Sequence, residues 1–178
     1  MWVGGFLPLP IVFIKGTRLK RKFGVLIILF GLIFFANRAE GAISVTVTGS
    51  WSLTITSSDL ISGAGSDLKS DYESAADAVS ITISGTTGAL DTWGIDVRKV
   101  DTNWHSDLIL YVKRTSNGIG GSVSGGTSYQ QVTGTNLSFF SGSDDVSWIN
   151  VQLKLSGVSI RISPVTYTTT VYYTVVDT

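Results

Sequence analysis

From Ala42 onward, the apolar residues of this 178-residue chain recur at every second position. A period of two is the signature of a β-strand, whose successive side chains point to opposite faces; a helix, with its period of 3.6, cannot bury such a set on one side. Ile43, Val45, Val47, Trp51, Leu53 and Ile55 form the first run, Val79, Ile81 and Ile83 the second, and Trp93, Ile95 and Val97 the third. Leu108, Leu110 and Val112 follow, then Ile149, Val151, Leu153 and Leu155, then Val158, Ile160 and Ile162, and last Val171, Tyr173 and Val175. The residues between them are mostly Ser, Thr, Asp, Lys, Gln and Arg, so each strand has one wet face and the sheets are antiparallel. The intervening stretches "SGTTGALDT", "TSNGIGGSVSGG" and "SGSDD" read as turns. About seven to eight short strands without a long amphipathic helix predict an all-β domain, a Greek-key β-sandwich. Only residues 66–78 offer a turn or two of helix, with Leu68, Tyr72 and Ala75 on one side.

The first 41 residues are of another kind. Lys20, Arg21 and Lys22 precede an apolar stretch over 23–36, and the small residues Ala39 and Gly41 follow, the three-part plan of a secretory signal peptide. The stretch is shorter than the about 20 residues that span a bilayer. The sequence therefore divides into a signal segment at 1–41, cleaved after Gly41, and a single domain at 42–178. Pro8 and Pro10 interrupt a further apolar patch at the start, an unusual prefix that suggests translation from near Leu19. Export makes the chain secreted or surface-displayed, touching membrane only through the uncleaved segment.

The leader holds six of the 13 basic and one of the 13 acidic residues, leaving seven and twelve in the domain, a formal charge of −5. A net-acidic domain without a basic cluster lacks the footprint of a nucleic-acid binder. With no cysteine, no disulfide framework holds it.

Catalytic patterns are missing. His105, the single histidine, stands in "TNWHSD" near Asp107, but no motif supplies a nucleophile, and neither G-x-S-x-G nor H-E-x-x-H occurs. The expectation is a protein that is not an enzyme and needs no cofactor. Calcium is the one metal for which loop acids offer ligands, at Asp67, Asp71, Glu73 and Asp77 and at Asp144 and Asp145, although the D-x-[DN]-x-[DN]-G pattern is absent. Aromatic residues are the stronger candidates. Strand parity turns Trp148 away from Ile149, Tyr111 away from Leu110 and Val112, and Tyr172 away from Val171 and Tyr173; with the loop residue Trp104 they offer flat surfaces for a subunit contact or a sugar ring.

The C-terminal run "VSIRISPVTYTTTVYYTVVDT", with Pro164, Tyr167, Val171, Tyr173 and Val175, resembles the closing segment of bacterial fimbrial-type and spore-coat-U-like secreted proteins. The resemblance implies an immunoglobulin-like sandwich at the cell surface, sometimes assembled by strand exchange; the missing cysteines depart from those families. The function expected is structural or adhesive, in a filament or coat subunit whose partners are further copies or other surface proteins. The alternative is a carbohydrate-binding module that meets polysaccharide through its outward aromatic residues.

The first apolar run bears on assembly. One alternating face continues from Ile43 to Ile55, which at about 3.3 Å per residue approaches 40 Å, about twice an ordinary strand. Either Gly49 kinks the run so that it serves two sheets of its own domain, or Ile43, Val45 and Val47 leave to complete a neighbour's sheet.

Overall fold

In the structure, a computed structural model that describes residues 9–11, 13–17, 42–88 and 91–178, the alternation becomes burial almost residue for residue. Val79, Ile81, Ile83, Trp93, Ile95, Val97, Leu110, Val112, Ile149, Val151, Leu153, Leu155, Val171 and Tyr173 are fully enclosed, and with Phe139, Phe140 and Val146 they form one core cluster. The apolar stretch at 23–36 and the cleavage point after Gly41 lie outside the described residues.

The described residues form twelve strands, in order β1 (Leu9–Ile11), β2 (Phe13–Thr17), β3 (Ser44–Gly49), β4 (Trp51–Leu53), β5 (Tyr72–Glu73), β6 (Val79–Ser84), β7 (Thr92–Asn103), β8 (Ile109–Arg114), β9 (Ile119–Gly125), β10 (Gln130–Gln131), β11 (Leu137–Ser156) and β12 (Thr168–Asp177). Nine of them, β3 and β5 to β12, make a single antiparallel sheet that curls until it is nearly barrel-shaped. The organising element is β11, 20 residues long. One flank of it is taken in turn by β7, β6 and β5, the other by β9 and β8. Beyond these, β12 lies on β7, β3 on β6 and β10 on β8.

A strand of this length stays on the core only if it bends, and β11 bends at "SGSDD". Asp144 and Trp148 both take left-handed backbone, at φ 59° and 58°, and the pairing register slips there against both β6 and β9. Such bulges add twist and re-aim side chains. The stretch expected to be a turn is therefore a bulge inside a strand. Just before it, Gly142 faces Trp93, whose ring stands edge-on to Phe140 at 6.2 Å and whose Nε1 donates to the Asp144 carbonyl at 2.9 Å. A Cβ on Gly142 would come within 2.5 Å of that ring and 2.2 Å of the Ser122 carbonyl.

Three further expectations are corrected. The Gly/Ser-rich "TSNGIGGSVSGG" contains β9, held against β11 because a Cβ at Gly120 or Gly121 would lie 2.3 Å from the Asp145 carbonyl or 2.0 Å from that of Ser143. Residues 66–78 form no helix: Leu68 bridges to Leu60, Tyr72 and Glu73 pair with β11, and Asp67 and Ser74 spend their side chains on backbone groups, the local competition by which Asp and Ser disfavour helices. Val158, Ile160 and Ile162 do not form a strand. Gly157, at φ +84°, ends β11, and only Val158 of the three enters the core.

Candidate functional site

The most distinctive feature of the sheet is where its two ends approach. β3 and β12 are the terminal strands on either side, and they come together without pairing. Between them runs β2. Its residues Phe13 to Thr17 pair in parallel with Thr170 to Thr174 of β12, and it lies alongside β3. The lane is thus one strand wide, and a segment from far upstream in the chain fills it. β1 pairs separately with Trp51–Leu53, Leu9 against Leu53 and Ile11 against Trp51.

The first apolar run is divided as its kink predicts. Gly49, at φ +108°, ends β3, and a Cβ there would lie 2.2 Å from the Ala78 carbonyl. Ile43, Val45 and Val47 are half-buried against the core, and Val45 and Val47 pair with Ile83 and Ile81 of β6, so this strand stays in its own domain. Past Gly49, Trp51 to Leu53 leave the main sheet.

The four aromatic candidates do not come together. Trp148 is 65 % exposed at the β11 bulge, its carbonyl accepting from the Ser116 hydroxyl and its N–H donating to Thr82 Oγ1. Tyr111 sits six positions along β11, opposite Lys154 and beside Gln131. Tyr172 lies on β12 with the Arg98 guanidinium 4.6 Å from its ring centre. Trp104 is no platform: its Nε1 donates to the Leu108 carbonyl at 2.7 Å and Lys99 Nζ covers its ring at 4.9 Å.

His105 Nδ1 accepts from the Asp107 N–H at 3.2 Å and approaches the Asp107 carboxylate at 3.8 Å, while the Ser106 hydroxyl donates to that carboxylate at 3.4 Å. Three of the loop acids have work of their own. Asp67 accepts from the Leu68 and Ile160 N–H groups at 2.8 and 3.0 Å, which holds its carboxyl below the usual range. Asp71 accepts from the Ser156 and Ser70 hydroxyls and faces Lys154 Nζ at 3.3 Å; the two hydroxyls and the ammonium hold it down at about 2. Asp145 accepts from the Thr86 N–H and hydroxyl. Among the described residues no three of these acids converge as metal ligands would.

Reasoning from sequence missed one cavity. Ile55, Leu68, Leu108, Val158, Ile162 and Tyr167 line an apolar hollow of about 260 Å³ between the 57–70 loop and the β11–β12 connection. Asp67 ties its rim together through Ile160 and Ser159. Its walls come from irregular segments, which carry no periodicity to betray them. Compared with family models, with curated proteins and with solved structures, the chain has no match.

Proposed function

We propose that the protein is a secreted or cell-surface β-domain with a structural or adhesive, non-catalytic role, assembling by addition of a strand to the lane between β3 and β12. The observation that carries this reading is the parallel pairing of Phe13–Thr17 with β12, in which a remote segment of chain completes the sheet. In a chain translated from near Leu19, or processed after Gly41, that segment is absent and the Thr170 to Thr174 edge stands unpaired, and an unpaired edge gains every backbone hydrogen bond that an added strand brings. The donor is a strand from a neighbour; Ile43, Val45 and Val47 remain on β6. The immunoglobulin-like Greek-key description is part of the same proposal, and the bent β11, which carries one set of partners before the bulge and another after it, supports it.

The test is to isolate the protein from its own cells, measure its intact mass and examine it by electron microscopy. A cell-surface or medium fraction beginning at Ala42 and forming polymers of regular repeat is expected. A cytosolic monomer that retains residues 23–35 would overturn the reading.

The carbohydrate-binding alternative rests chiefly on Trp148, an exposed indole on a backbone held by Ser116 and Thr82. Retention on polysaccharide columns that is lost on Trp148→Ala would favour it.

A further inference from the structure

A second edge of the sheet is open in a different way. β9 pairs with β11 along one flank, and among the described residues no strand pairs with the other. β10 and β5 are two residues each, too short to template a partner, while β3 and β12 face one another across a lane that admits a peptide but not a folded domain. Among the described strands, β9 is therefore the long edge that a whole second molecule can reach.

Natural edge strands are guarded by charge, proline, brevity or a bulge. β9, "IGGSVSG", has seven residues and neither a charge nor a proline; left-handed Gly120 and Gly125, the first beside the β11 bulge, bound a regular edge over Gly121 to Ser124. It is also pre-formed, since Gly120 and Gly121 press it against the Asp145 and Ser143 carbonyls, so little ordering is needed when a partner arrives.

We propose that the outer edge of β9 is a self-association surface, on which a second copy of this chain adds its own β9 antiparallel about Ser122. The sequence is complementary to itself under that two-fold. Ile119 meets Gly125 and Gly121 meets Val123, so each bulky residue faces a glycine, and Ser122 faces its own copy. A closed two-fold contact of this kind uses one patch on both molecules. Apolar surface flanks it: Ile119, 66 % exposed, pairs with Ser147, and the exposed Trp148 comes next in the chain. The two-fold places such a pair at each end of the joined strands.

This inference concerns an edge that the lane proposal does not use, and the two fail separately. The chain lacks cysteine, so Ser122→Cys introduces a unique thiol, and Cα atoms opposed across an antiparallel pair fall within disulfide range. The full-length gene product, purified in whatever form the cell leaves it, is oxidised at rising concentration and compared with Ser159→Cys, placed far from β9. A disulfide dimer from Ser122→Cys alone is expected. Sedimentation of the unmodified protein should show the same dimer, and Ser124→Lys should weaken it at least tenfold without lowering the melting temperature. A protein that stays monomeric at several hundred micromolar, or a dimer that Ser124→Lys leaves intact and Ser122→Cys does not trap, overturns the proposal.

Discussion

Two residues show how far packing alone fixes this core. Trp93 is fully buried and spends its one polar atom on the Asp144 carbonyl, so Trp93→Ala removes a ring and the hydrogen bond it makes to the bulge together. A loss of about 3–5 kcal/mol is expected in denaturant unfolding. Gly142→Ala pushes a methyl group into the same ring from the opposite strand and should cost about 1–3 kcal/mol. Trp148 behaves in the reverse sense. A bulky residue in left-handed backbone is strained, so Trp148→Asn, which tolerates that conformation, should raise stability by about 0.5–1 kcal/mol while weakening whatever contact the indole makes. Like Asp67, Asp71 contributes to acid stability. Its carboxyl titrates near 2 in the folded chain against about 3.9 unfolded, so its contribution is complete above about pH 4 and disappears as the pH falls through 2. Asp71→Asn should flatten that part of the stability-against-pH curve, read by chemical denaturation at successive pH values.

At the scale of elements, the strands that alternate cleanly were legible because a half-buried strand writes its register into its side chains; Ile81, Ile83, Ile95, Val97, Leu153 and Leu155 all face inward as their period requires. β9 was illegible for the opposite reason. It is held by what glycine lacks, and a strand of Gly and Ser carries no alternation to read. The bulge at Asp144 likewise carries turn residues because it needs left-handed backbone, although the strand continues through it. Of the candidate site residues, Trp148 is exposed at a bulge in left-handed backbone that no alternation records, and Trp104 satisfies its indole within its own loop, which spacing could not reveal. For β3 the two alternatives left by the sequence are separated by its pairing with β6. Deleting residues 42–48 should therefore destabilise the domain itself, by well over about 3 kcal/mol for three half-buried aliphatic side chains and a strand's hydrogen bonds. A truncated domain as stable as the parent would contradict that pairing.

For the whole molecule, the central question is whether the nearly closed sheet is completed by an added strand. The core is continuous from β3 round to β12, and every neighbouring pair between them is hydrogen-bonded, so closure depends on the one lane that Phe13–Thr17 fills. The most direct measurement is a titration of the chain beginning at Ala42 with a peptide of residues 9–17, followed by amide NMR. Saturable one-to-one binding that protects the amides of Thr170 to Thr174, and that is absent from the chain retaining its first 41 residues, is the predicted result. A peptide that leaves the β12 amides unperturbed, or binds both forms equally, would contradict the account.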